Sequence, residues 1–253
     1  MKEYELISEF KDRPFFTKKE LFEFLYKRKN GLSDSYYRLL LSNLRKRGII
    51  EDLKRNVYSF KNKPEFLPTI DKRINKLINT IKKNTNDIQY VCWDSLWLNR
   101  FMIHQSNTSM VVFECEREFT ESIYNILKDN KYENVYLNPK KEVIDIYITE
   151  NKNSIIIKPL ISRSPGVEYS GIRIPALEKI LVDVFADQNL FYAYQGKELA
   201  NIFSNSIVDF KINLSTLFNY AKRRNRYYEL LDFIRNLSIV NEEILSGETK
   251  YDK

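Results

Sequence analysis

An α+β fold is predicted: an N-terminal winged helix-turn-helix, then a mixed-sheet α/β body with a helical C-terminal part. Three observations predict it. The charge is lopsided, with 16 Lys/Arg against 9 Asp/Glu in residues 1–63 and 25 of each in residues 64–253, so the whole net charge of +7 sits in the first quarter. Residues 1–63 carry caps and turn signals in the order helix, helix, helix, hairpin. Beyond residue 90, short apolar runs alternate with amphipathic stretches, and beyond Pro175 the pattern turns helical.

In the first module, residues 4–10 (YELISEF) are briefly amphipathic and Pro14 stops them. Thr17 followed by Glu20 is a capping box, ahead of an apolar stripe of Leu21, Phe22, Phe24 and Leu25. Gly31 supplies a C-cap and Ser33 the next N-cap, with Asp34 behind it. The third helix runs to Arg47, with Gly48 as its C′ residue. At 100° per residue, Tyr37, Leu40, Leu41 and Leu44 share one face, while Ser35, Arg38, Ser42, Arg45 and Lys46 share the other. Leu39 falls awkwardly near the polar face. An apolar stripe backed by hydroxyls and cations suits a recognition helix, whose outer face reaches phosphates and base edges. Ile49-Ile50 and Val57–Phe60 then flank a polar turn at 51–56, a hairpin whose tip carries Lys54 and Arg55. The expected partner is duplex DNA.

Residues 61–69 hold two Pro and no periodicity, which marks a boundary. The expected division is therefore a DNA-binding domain at 1–63, a linker with a polar helix at 64–90, and a body at 91–253. The polar helix spans 70–83 and reads as a spacer against either domain or against a second copy, which leaves a homodimer open. In the body, WDSLWLNRF reads as helix and Met110–Phe113 as a buried strand ending at Glu114-Cys115-Glu116. Residues 119–129 read as a helix capped by Thr120, and 135–137, 143–149 and 154–158 as strands. Helices follow over PALEKILVDVFAD, near Gly196–Phe203, over the Asn213-capped LSTLFNYAKRRN, and over RYYELLDFIRNL.

Composition excludes several function classes. Only six Gly and seven Pro, with 43% hydrophobic residues, exclude a collagenous or disordered chain. A single His excludes sites needing two, and leaves only His104, read as a surface or cap residue, for a histidine triad. Cys92 and Cys115 are too far apart for a redox CxxC pair. No Gly-rich phosphate loop, GxSxG elbow or HExxH occurs, so no cofactor or metal is expected. The charged N-terminus and the lack of an 18-residue apolar run point to a soluble, cytoplasmic protein.

Four constellations invite chemistry. Glu114, Glu116, Asp145 and Lys158 on or beside strands suggest a Mg²⁺-dependent nuclease, yet Ile156 stands where that motif needs a second carboxylate. Lys179 and Asp183 form an i,i+4 pair that reads as a surface ion pair. Arg163 and Arg173 flank a Gly-containing loop that would bind an anion or simply join strand to helix. Lys222, Arg223 and Arg224 make the strongest basic spot of the body, either a contact for nucleic acid or a partner, or cations at a helix C-terminus.

The segments WDSLWLNRFMIHQ (93–105), VVFECE (111–116), PLISRSPGVEYSGIRIPALEKILVDVFAD (159–187), YQGKEL (194–199) and NYAKRR (219–224) resemble AbiEi-type abortive-infection antitoxins. The resemblance spans most of the body and rests on order and spacing. It implies a non-enzymatic transcriptional autorepressor that acts on operator DNA through the N-terminal domain. It further implies a type IV antitoxin that counteracts a neighbouring nucleotidyltransferase toxin through the C-terminal one, without a stable complex. The alternatives are a nuclease with a DNA-docking module and a protein-interaction scaffold.

Overall fold

The computed structural model describes residues 9–10, 15–28, 33–60, 63–85, 87–149, 151–237, 240 and 245. The chain forms two compact units, one of Met1–Glu65, Ser206–Asn219 and Tyr227–Lys253, the other of Phe66–Asn205 and Tyr220–Arg226. The architecture is α+β, as predicted.

The first unit contains β1 (Phe16–Thr17), α1 (Lys18–Arg28), α2 (Asp34–Lys46), β2 (Ile50–Lys54) and β3 (Val57–Phe60). The antiparallel sheet has the order β1-β3-β2. The expected capping box forms: Thr17 N–H donates to Glu20 Oε2 at 2.7 Å, and Glu20 N–H donates to Thr17 Oγ1 at 3.1 Å. Ser33 Oγ accepts from Tyr36 N–H and starts α2. Gly48, at φ 64°, ends it by turning the chain so that its N–H reaches the Arg45 carbonyl and Ile49 N–H the Leu44 carbonyl. Only glycine takes that φ without steric cost. The expected helix at 4–10, apart from Glu9 and Phe10, and the expected cap at Gly31 lie outside the described residues.

The apolar stripes meet as their periodicity requires. Tyr37, Leu41 and Leu44 of α2 pack with Leu21 and Leu25 of α1 and with Phe16, Ile50 and Tyr58 of the sheet. Leu39 is left 59% exposed. The hairpin is tighter than expected, because Leu53 is buried and keeps β2 paired to Lys54. Its turn is only Arg55-Asn56, with Asn56 at φ 64°. Residues from late in the chain complete this unit. Lys63 Nζ donates to the Ile207 carbonyl at 2.6 Å, Lys211 N–H donates to the Pro64 carbonyl, and the Lys211 ammonium pairs with Glu51.

The second unit begins with α3 (Lys72–Asn84), whose first turn is capped by Asp71. It continues through β4 (Tyr90–Asp94), a 3₁₀ segment (Ser95–Phe101), β5 (Ser109–Cys115), α4 (Thr120–Asp129), β6 (Val135–Leu137) and β7 (Asn153–Pro159). A β8–β9 hairpin (Gly166–Tyr169, Ile172–Pro175) and α5 (Leu177–Ala186) follow. Later in the chain come α6 (Lys197–Asp209), α7 (Leu214–Arg223) and α8 (Tyr227–Asn236). Asn213 caps α7 as expected, accepting from Thr216 N–H at 2.9 Å. The main sheet runs β4-β5-β7-β6, antiparallel at β4/β5 and parallel elsewhere, so it is the mixed sheet predicted.

Three expectations need correction, and one open alternative is decided. The helix expected at 70–83 packs on the body: Ile74, Leu77, Ile78 and Ile81 enter the core beside Cys92, Phe113, Ile123 and Ile157. Trp93 and Asp94 belong to β4, and the turns that follow are 3₁₀. Thr120 does not cap α4, because its hydroxyl donates back to the Arg117 carbonyl. The strand expected at 143–149 is a helical turn, Lys141–Val143, that widens into a π turn over Ile144–Ile148. There Ile144 and Ile148, four apart, are the buried pair, while Ile146 and Tyr147 are exposed. The loop around Gly166 and Gly171 is itself a hairpin, turned by Ser170 and Gly171 at positive φ. No helix among the described residues is long and apolar enough to cross a membrane.

Candidate functional site

The polar face of α2 carries Ser35, Arg38 and Lys46 exposed and Ser42 half-buried. Arg45 is different. Its guanidinium donates to Asp52 Oδ1 of β2 at 2.6 Å and lies 5.2 Å over the ring of Tyr58 on β3. Partial burial works against the charge, and Asp52 outweighs it, so the Arg45 pKa is raised. Arg45 therefore ties the helix to the hairpin while remaining exposed. Its partner came from outside the helix, where helical periodicity carries no information. Arg55 sits exposed in the hairpin turn, and the Lys54 side chain lies outside the described residues.

In the second unit the chemistry is concentrated inside. Lys179, on α5, is fully buried; its ammonium donates to both oxygens of Glu114 on β5, at 2.7 and 2.8 Å, and to Asp183 one turn on. Asp183 also accepts from the Tyr220 hydroxyl at 2.9 Å and pairs with Arg224 at 3.3 Å. Two cations and two carboxylates thus balance in one buried cluster. Burial alone would lower the Lys179 pKa, but Asp183 and Glu114 outweigh it and hold the ammonium above its ordinary range. Burial pushes the Glu114 carboxyl up against the pull of Lys179, and burial next to Asp183 raises the Tyr220 hydroxyl. The surface ion pair expected at Lys179 and Asp183 is therefore corrected to an interior one.

The same packing disperses the carboxylates a nuclease would gather. Glu114 and Lys158 face each other in register across β5 and β7, but Glu114 belongs to Lys179 and Lys158 to Asp187. Glu116 accepts from Gln89 N–H, and Asp145 is off the sheet, on the π turn, paired with Lys141. Among the described residues no three His, Cys, Asp or Glu are placed to share a metal. Of the basic spot, Arg224 turns inward to Asp183, Arg223 donates to Ser162 Oγ at 2.8 Å, and Lys222 is exposed. His104 is exposed, as expected, and its ring pairs with Glu198 at 2.7 Å, which holds that carboxyl down at about 2. Arg173 pairs with Glu168 across the β8–β9 hairpin.

The sequence missed Glu114 and Tyr220 as partners of Lys179. A signal was present: in ALEKILVDVFAD the apolar residues leave no polar side, which marks a helix enclosed all round. No curated protein matches the chain. Residues 36–240 match a family profile across both units, and the chain accordingly belongs to DUF6577, a family of unknown function.

Proposed function

We propose that the protein is a cytoplasmic, non-enzymatic regulator that binds duplex operator DNA with its first unit, used as a winged helix-turn-helix. We further propose that it acts as the antitoxin to a neighbouring nucleotidyltransferase toxin. The observation that carries the DNA reading is the two-sided α2: Tyr37, Leu41 and Leu44 seated in the core, with Ser35, Arg38 and Lys46 exposed on the other side. The residue charge of the first 63 positions and Arg55 at the hairpin turn support it. In this reading Arg38 and Ser42 reach base edges, Lys46 a phosphate, and Arg55 the backbone beside the groove. The antitoxin role rests on the resemblance to AbiEi-type proteins.

The test is a titration of the full chain with duplex DNA of its own promoter at several salt concentrations. With about five phosphates neutralised, the log-log slope is expected near −4 to −5. Binding that is undetectable or indifferent to salt defeats the proposal. The antitoxin half is read separately, by growth of cells that express the toxin from a foreign promoter. The Arg38→Ala chain, impaired in repression, should still protect them.

A further inference from the structure

Beyond the DNA reading, the second unit holds an open cavity of about 640 Å³ that no role described so far uses. Its floor is buried: Ser95 from the 3₁₀ segment, Met110 from β5, Ile148 from the π turn, and Leu190 and Tyr194 from the stretch after α5. Its rim carries Lys141 and Asp145, and Tyr192 with 75% of its surface exposed. The size is that of pockets which enclose small ligands. A π turn forms one wall, and such widened turns are kept mainly where a site needs them.

The walls define what fits. Met110, Ile148 and Leu190 give an apolar surface, and the Tyr192 ring offers a flat face at the mouth. The polar corner is made of hydroxyls: Ser95 and Ser106 line it with Tyr194, whose buried hydroxyl has no hydrogen-bond partner among the described residues. Ser95 Oγ already accepts from Met110 N–H, which leaves its proton to give, whereas Ser106 Oγ both accepts from Thr108 N–H and donates to the Thr108 carbonyl at 3.4 Å. Ser95 and Tyr194 therefore present donors that want an acceptor. The corner contains no Lys or Arg, and Lys141 at the rim is neutralised by Asp145, so an anion gains little there. We infer that this cavity binds a small, uncharged heteroaromatic molecule, its ring against Tyr192 and the apolar wall and a carbonyl or ring nitrogen on the Ser95 and Tyr194 hydroxyls.

Nucleosides and nicotinamide have that chemistry and serve as probes. Calorimetric titration of the full chain with adenosine, guanosine, cytidine, uridine and nicotinamide is expected to show saturable binding of at least one at or below millimolar concentration. Tyr194→Phe, which removes only a hydroxyl, should weaken it about threefold to tenfold. Ala193→Trp, a substitution at an exposed rim position, should block it without disturbing the core. The 5′-phosphate form of a bound nucleoside should bind no tighter. Failure of all five probes, binding indifferent to both substitutions, or a tenfold gain from the phosphate would each overturn the assignment. Promoter DNA binding by the same variants should be unchanged, so this result stands or falls apart from the DNA reading.

Discussion

Lys179 keeps its charge with no contact to water because every direction its ammonium faces holds an oxygen. Such a cluster is poorly divisible. Replacing Lys179 with Met leaves Glu114 and Asp183 buried without the ammonium they share, which should cost about 3–5 kcal/mol in denaturant unfolding. Tyr220→Phe, which loses one hydrogen bond to a carboxylate, should cost about 1–3 kcal/mol. A melt in which Lys179→Met matches the parent chain would mean the cluster is not what holds β5 against α5. The i,i+4 spacing of Lys179 and Asp183 was legible in the sequence; its meaning was not. Local spacing reports a pair, whereas Glu114 lies 65 residues away and enters only when the sheet forms.

Among the elements, four caps were legible because their chemistry is local, while the cap expected at Thr120 failed because its hydroxyl bonds back to the Arg117 carbonyl. Thr17 with Glu20, Ser33, Gly48 and Asn213 each act within a few residues. Alternation misled at 143–149, where Ile144, Ile146 and Ile148 fit a strand as well as a helix, and burial of the first and last decided the matter. The link between α2 and the hairpin was illegible for the same reason as Glu114. In the proposed DNA reading it sets Arg45 apart from Arg38. Arg38→Ala should cost about 1–3 kcal/mol on promoter DNA and relax base preference. Arg45→Ala should leave promoter affinity and base preference unchanged, and its coupling with Asp52→Ala in a stability cycle should be about 0.2–1 kcal/mol, as for an exposed pair. Equal losses of promoter affinity in both variants would place Arg45 on DNA after all.

For the whole molecule, the charge asymmetry pointed to a separate module in residues 1–63, but charge says nothing about which later residues pack with them, and the first unit also takes in 206–219 and 227–253. Glu51, Lys63 and Pro64 find partners at Ile207 and Lys211. A chain cut at residue 63 loses those contacts and exposes what they cover. It should show a lower and broader thermal transition than the first unit has in the full chain. An equally sharp transition at the same temperature would show that residues 206–219 add nothing to it.

The return of the chain to its first unit also sets an order of assembly during synthesis. Phe60 leaves the ribosome well before Ile207 and Lys211, and at typical elongation rates that interval is roughly 7–30 s. Through it the main sheet β4-β5-β7-β6 has its sequence available, while both units wait for later pieces, the second for Tyr220 and Arg224. The surface proposed to contact DNA through α2 therefore rests on a unit whose packing is completed only after residues 206–219 have been made.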